Sequence, residues 1–424
     1  MSRPPRRGGA AWRWGIPALL LLLPAFLFPL GALVWRGIAP DGTPSSASIL
    51  EVTRDPFLWD RLTFTIGQAL SSTVLSVLVG LPAAYVVSRI RFRGRGLVRA
   101  AITMPLVLPT IVVALAFQRL FEPGGWFDEA VQAAGGPEVR LLGTLWPILL
   151  AHAFLSTAIV VRMVGTAWAG LDPRQAEAAR LLGANRRRTF TAVTLPALLP
   201  TIGAAAALVF VFTFTSFGVV LVLGTPLYET LEVTTFRLAM QQATLSQAAV
   251  LSVVQIAVTT TALMLRAGFQ RRRAVQGHLR PGWTRADHAR PFAETTWHER
   301  MIALFALATL GPLLVLLIAA LIGGAVTRDG VLTGDHFAAL FGDDGSALDA
   351  IRWSAMFALG TLVIALAVGG AAGMATARSG GRATLLLSAL CCCRSPYRPS
   401  SSDSRRSRRS TASGSTCAAR RCSC

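Results

Sequence analysis

The chain contains no lysine: all 41 of its basic side chains are arginine, set against 21 acidic ones for a net charge of +20. Charge of either sign is scarce, at 15% of 424 residues, where a soluble domain carries roughly a quarter. That deficit excludes an ordinary soluble domain. The basic excess suggests a nucleic-acid binder at first sight, but the arginines sit in short loops between apolar blocks and form no basic domain. Cysteine is absent before residue 391 and then appears six times, at Cys391, Cys392, Cys393, Cys417, Cys422 and Cys424. That spacing matches no zinc pattern and offers the apolar blocks no disulfide framework. There is no Walker A sequence, catalytic triad, metal-ligating cluster or paired-carboxylate site. The reading is therefore a protein without a cofactor or metal and without enzymatic chemistry of its own.

What the chain does have is apolar blocks of about 20 residues, the length of helix that crosses a hydrocarbon core of about 30 Å. Eight qualify as spans: Gly15–Trp35, Ile66–Val87, Ala100–Phe117, Gly143–Val161, Pro200–Leu221, Ala248–Leu265, Met301–Val326 and Ser354–Ala375. In lipid each backbone must close its own hydrogen bonds, so helices are expected, with internal prolines tolerated through neighbouring helices. The first block follows Arg3, Arg6 and Arg7 but is too long for a signal sequence, and reads as an uncleaved helix. Arginines mark alternate loops: Arg89, Arg91, Arg93, Arg95 and Arg99 after the second span, Arg186–Arg188 after the fourth, Arg271–Arg273 after the sixth. The intervening loops are acidic or mixed. By the positive-inside rule the N-terminus is cytoplasmic.

The polar stretch from Gln270 to Arg300 reads as a cytoplasmic linker between two membrane halves. Ala69-Leu70, Val74, Gly80, Ala83 and Arg89 recur 289 residues later as Ala358-Leu359, Val363, Gly369, Ala372 and Arg378, which suggests an internal repeat. The expected plan is a first half over 1–270, a linker over 271–300, the start of a second half over 301–390, and a tail over 391–424. That tail holds ten serines and eight arginines but no Leu, Ile, Val, Met or Phe, too little apolar area to fold. It reads either as a disordered tail or as the product of a frameshift that cuts the second half short.

The loop after the fourth span carries the most specific pattern: Asp172-Pro173-Arg174-Gln175-Ala176-Glu177-Ala178-Ala179-Arg180-Leu181-Leu182-Gly183, continuing to Val193-Thr194-Leu195-Pro196. Asp172 can cap a helix that starts at Pro173. Gly183 can end it in a left-handed conformation. The product is a short amphipathic helix, with Ala178, Ala179 and Leu182 on an apolar face suited to a partner's groove. Glu177-Ala178-Ala179, Gly183 and Val193-x-Leu195-Pro196, at their spacing, resemble the EAA loop of ATP-binding-cassette (ABC) importer permeases, with Val193 where the family has Ile.

That resemblance implies an all-α polytopic bundle of the type I (MetI-like) kind in a bacterial inner membrane. It also implies partners: a dimer of cytoplasmic ABC ATPase subunits and an extracytoplasmic substrate-binding protein. Glu177, Ala178, Ala179, Gly183, Leu195 and Pro196 would form the ATPase-docking loop. The two-half plan resembles the iron(III) and thiamine permeases, so iron(III) or thiamine is the implied substrate. At the repeat offset a second docking glutamate would fall beyond residue 424, so one such loop stands where that branch has two.

Other residues carry weaker signals. His152 lies inside the fourth span, where an ionisable group is a pathway candidate, as are the hydroxyls of Thr213, Thr215 and Ser216. A histidine or hydroxyl merely bonding helix to helix fits the same residues. An ion-coupled secondary transporter would need intramembrane carboxylates, and the eight spans carry none. A truncated permease without activity is the remaining alternative.

Overall fold

The computed structural model describes residues 54–241, 245–276, 290–328, 331–332 and 346–378, together with a few isolated positions before residue 40. Most of the first expected span, residues 277–289 of the linker and the cysteine-bearing tail lie outside the described residues. The chain divides into two units, one comprising residues 32–339 and the other residues 1–31 with 340–424.

In the first unit α1 runs from Pro56 to Arg89. Asp55 caps it by accepting a 2.9 Å hydrogen bond from the Phe57 N–H, with Pro56 in the first turn. The central helix is α5, Trp146–Ala169, and 78% of its apolar window is buried. Helices α1 and α5 pack along one another because small residues let them approach. A Cβ at Gly80 would stand 2.7 Å from the Val160 side chain, and one at Gly165 would meet the Ala84 carbonyl at 3.5 Å. Small-residue contacts of this kind replace the hydrophobic drive that lipid removes.

The third expected span is not one straight helix. The chain forms α2 (Arg95–Thr103), a 3-10 turn (Met104–Leu106) and then α3 (Thr110–Phe121), bent by 102° across the break. Pro105 and Pro109 are the cause. Neither can donate a backbone hydrogen bond, and Pro109 drives Leu108 away from helical geometry. The prolines that the sequence reading treated as tolerated kinks therefore redirect the chain. After α3 come the short α4 (Trp126–Ala133) and the chain's return into α5.

The fifth expected span is divided as well. A π turn, Phe190–Thr194, precedes it, and α8 (Leu195–Phe214) then stops inside it. After Thr215–Phe217 a six-residue helix, α9 (Gly218–Leu223), follows. Thr213, Thr215, Ser216 and Gly218 are poor helix formers crowded into one turn and a half. The break also fits packing: a Cβ at Gly218 would lie 2.6 Å from Thr110 Oγ1, so only glycine lets α9 sit on the start of α3. Val219, Val220 and Leu223 then join Val113, Phe117 and Phe154 in one buried cluster.

Helix α10 (Leu231–Met240) and α11 (Leu245–Gln276) follow, α11 packing on α8 and α10. Helix α12 (Trp297–Val326) packs on α1 and α3, with Ala306 in a cluster with Ala83, Val87 and Val161. Two residues on each side, Ile90–Arg91 (β1) and Arg290–Pro291 (β2), pair in parallel just before it. In the second unit α13 spans Ser346–Arg378, and its stretch 347–371 is long and apolar enough to cross a membrane.

Candidate functional site

Helix α6, Pro173–Leu181, is built by local chemistry at both ends. Asp172 Oδ1 accepts from the Arg174 N–H at 3.0 Å. At the other end Gly183 adopts φ +84°. Its N–H donates to the Arg180 carbonyl at 3.0 Å, and the Ala184 N–H donates to Ala179 at 3.0 Å. These two bonds make a Schellman motif. The chain then turns through Asn185, whose side chain accepts from the Arg188 N–H at 2.8 Å and caps α7, Arg186–Thr189.

No residue of α6 is buried. Glu177 and Ala178 are exposed and Ala179 is half-buried. Leu181 and Leu182 are both 89% exposed. Of the face expected from Ala178, Ala179 and Leu182, two members stand open and Ala179 turns partly inward. Leu181 is the member the sequence reading left out. Leu195 and Pro196 lie on the far side of the π turn, as the first residues of α8.

A chain of contacts ties this loop to distant segments. Phe190 stacks on Trp168 at the end of α5, with ring centroids 6.3 Å apart, and Trp168 meets Tyr85 of α1 edge-on at 5.2 Å. The Tyr85 hydroxyl donates to Glu299 Oε1 at 2.8 Å. Glu299 Oε2 accepts from the Thr296 N–H at 2.8 Å, one of the two bonds of a capping box at the start of α12. Thr296 Oγ1 accepts from Arg186 Nη1 at 2.8 Å, which returns to the loop. Apart from the Thr296–Glu299 bond, these pairings join residues far apart in sequence, so no short-range pattern announces them.

Inside the bundle His152 is 2% exposed. Its Nδ1 lies 2.6 Å from Gln68 Nε2, and its Nε2 lies 2.7 Å from Ser216 Oγ. With the glutamine amide donating, Nδ1 accepts and the ring proton sits on Nε2, facing Ser216. Gln68 Nε2 also reaches Ser72 Oγ at 3.0 Å, while Gln68 Oε1 has no partner among the described residues. The node joins α1, α5 and the break between α8 and α9.

Of the predicted path residues, His152 and Ser216 meet here and Thr213 and Thr215 do not. Thr213 Oγ1 donates to its own helix at Val209, at 3.0 Å, and Thr215 Oγ1 to Val211 at 2.9 Å. Gln68 was missed, although a glutamine four residues before Ser72 in an apolar span was the available signal. Among the described residues no group of three or more His, Cys, Asp or Glu side chains gathers as a metal site.

The structure thus displays a helix with open leucines and a polar node inside the bundle. Comparison with known proteins identifies the family. Residues 76–274 match the family described as the binding-protein-dependent transport system inner membrane component. The chain is 33% identical over 215 residues to a probable molybdenum ABC transporter permease protein of Haloferax volcanii, covering 50% of this chain and 74% of the relative. It is 29% identical over 248 residues to the sulfate transport system permease protein of Escherichia coli, 58% of this chain and 87% of the relative. A thiamine transport system permease protein of Brucella abortus is 30% identical over 213 residues, which cover 50% of this chain and 39% of that longer relative.

The fold resembles a chain of a bacterial ABC transporter involved in the import of the acidic polysaccharide alginate. The TM-score is 0.53 at 16% identity, over 62% of this chain and 94% of the other. The chain therefore belongs to the binding-protein-dependent inner-membrane components, as an all-α, multi-pass permease subunit of an ABC importer with the type I (MetI-like) fold.

Proposed function

We propose that residues 172–196 dock into a cytoplasmic ABC ATPase subunit, and that the Gln68–Ser72–His152–Ser216 node lies on the solute path. The observation that carries the docking reading is the pair Leu181 and Leu182, each 89% exposed on a helix with no buried residue. Burying a leucine side chain is worth roughly 1.5–3 kcal/mol, so two left open at the tip of a capped helix favour a partner's groove. Glu177 sits on the same helix with its carboxylate exposed, where it can meet a basic group at the groove's rim. The N-terminus is cytoplasmic in this arrangement, and an extracytoplasmic binding protein delivers the solute to the opposite face.

Thiamine is the substrate we favour. Its named relative is the one of the three that exceeds the matched segment by more than half its length, as a two-half permease would. The helices after the linker support two halves: α13 and α1 have 33 and 34 residues, and they end on the repeated arginines Arg378 and Arg89. Iron(III), the other substrate the resemblance implied, is not among the names of those relatives.

The test is disulfide or maleimide cross-linking in native membranes. It uses a Leu181→Cys chain whose own cysteines are replaced by serine. An ABC ATPase subunit, identified by mass and by its Walker A sequence, is expected in the adduct. Glu177→Ala should weaken the adduct. No ATPase adduct from Cys at 181, with the chain correctly inserted, would overturn the docking assignment.

A further inference from the structure

A cavity of about 660 Å³ opens between the end of α1, helix α2 and the last two turns of α5. Three guanidinium groups line it: Arg95 and Arg99 from α2, and Arg162 from α5. No carboxylate lines it among the described residues. Arg95 is fixed in place, donating from Nε and Nη2 to the Val87 carbonyl at 2.9 and 2.7 Å. In doing so it satisfies carbonyls that the end of α1 would otherwise leave bare. The guanidinium groups of Arg99 and Arg162 are exposed and make no hydrogen bond or ion pair among the described residues. Room for a bulky guest comes from Gly96 and Gly165 in the wall, and an apolar margin comes from Val87 and Val161.

Depth gives this arrangement its meaning. Arg162 stands seven residues before the end of α5, which is about 10 Å along a helix rising ~1.5 Å per residue. A guanidinium that far inside the apolar part of a spanning helix is costly unless water or a counter-charge reaches it. Three of them around one cavity with no acid repel each other until an anion enters. Arginine is the side chain best matched to phosphate oxygens, offering paired N–H donors in a plane. Basic pockets between spanning helices at the arginine-rich face of a membrane take phospholipid headgroups.

We propose that this cavity is a binding site for a phosphate group, held by Arg99 and Arg162 against the fixed cation of Arg95. The site is separate from the docking loop and from the polar node, and it stands whether or not either of those assignments holds. Two sources can supply the group: the headgroup of an anionic lipid, with its acyl chains along Val87 and Val161, or a free inorganic phosphate from the aqueous side.

The test uses the full chain purified in a neutral maltoside detergent. Its thermal midpoint is followed during titration with dihexanoyl phosphatidylglycerol and, separately, with inorganic phosphate. A ligand that binds only the folded state raises the midpoint by mass action. The expected result is a rise that the Arg99→Gln/Arg162→Gln double variant loses, with apparent affinity at least tenfold weaker. A rise with the lipid alone assigns the site to a headgroup, and a rise with inorganic phosphate as well assigns it to the free anion chemistry. Should the double variant fold poorly, phenylglyoxal labelling of the unaltered chain replaces it. Bound ligand should then protect the peptides carrying Arg99 and Arg162 and leave the exposed Arg187 reactive. No rise with either ligand, a rise retained in the double variant, or labelling that the ligands leave unchanged would each overturn the proposal.

Discussion

The α6 loop and the His152 node are polar features of this permease built in opposite ways. Every bond that shapes α6 links residues at most five apart: Asp172 to Arg174, Arg180 to Gly183, Ala179 to Ala184. The node pairs His152 with partners 64 and 84 residues away, Gln68 buried and Ser216 half-buried. A locally specified helix keeps its shape while its surface stays free for a partner. A node assembled from three segments has no shape until the bundle exists, and it ties the bundle together once formed. Surface changes on α6 should therefore alter association and spare stability, whereas changes in the node should do the reverse.

The largest expected effect tests the second half of that statement. Replacing His152 with Ala leaves the buried Gln68 amide and the half-buried Ser216 hydroxyl without their shared partner. Each abandoned group costs about 1–3 kcal/mol, so a loss of roughly 2–5 kcal/mol is expected, read as a lower thermal midpoint in detergent. Cross-linking through a cysteine at 181 should persist in the fraction that folds. A stable His152→Ala chain would show that the node is not a structural tie.

Next in size is the Leu181→Ala/Leu182→Ala double variant. It should weaken ATPase association by ten- to a hundredfold, about 1.4–2.8 kcal/mol at 1.4 kcal/mol per decade. The midpoint of the permease alone should stay unchanged. A falling midpoint would mean that the leucines serve the bundle itself.

Smaller again is Gly183→Ala. A side chain at φ +84° costs about 1 kcal/mol or slightly more, and it loosens the Schellman turn. The expected readout is a modest drop in association, with the midpoint almost unmoved.

The smallest effect concerns Asp128, a buried polar hub that is local like α6. Its carboxylate accepts from the Gly124 and Val139 N–H groups at 3.2 and 3.3 Å and from Gln132 Nε2 at 2.9 Å. The hydrogen bond from Gly124, followed by those from Val139 and Gln132, holds this carboxyl below the usual range. A depressed folded value stabilises the ionised form, so the contribution is present above the ordinary carboxylate value of about 4 and is lost as pH falls through the folded one. Unfolding followed by acidification should show a small loss below about pH 4 that Asp128→Asn abolishes.

The same division explains what the sequence could tell. The caps of α6 were legible because Asp172, Pro173 and Gly183 act on their own neighbours. Apolar block length placed α1, α5 and α11, since a helix that must satisfy its backbone in lipid has few alternatives. The bend between α2 and α3 was misjudged because two prolines four residues apart act together, where each was weighed singly. The break after Phe214 depended on Gly218 meeting Thr110, more than a hundred residues earlier in the chain. For the node, His152 and Ser216 were named for their chemistry but their meeting was not. Gln68 and the clasp of Arg186 on Thr296 required the fold.

The π turn at Phe190–Thr194 sets an angular register. One extra residue is wound into that turn, so the loop before it and the span after it are rotated relative to each other by about 100° compared with a continuous α-helix. Deleting a single residue there would restore ordinary pitch and swing Leu181 and Leu182 around the axis of α8 by that angle, with their own helix intact. The five residues from Phe190 to Thr194 thus act as the phase setting between the arm and its shaft, in a stretch where no side chain need touch either partner.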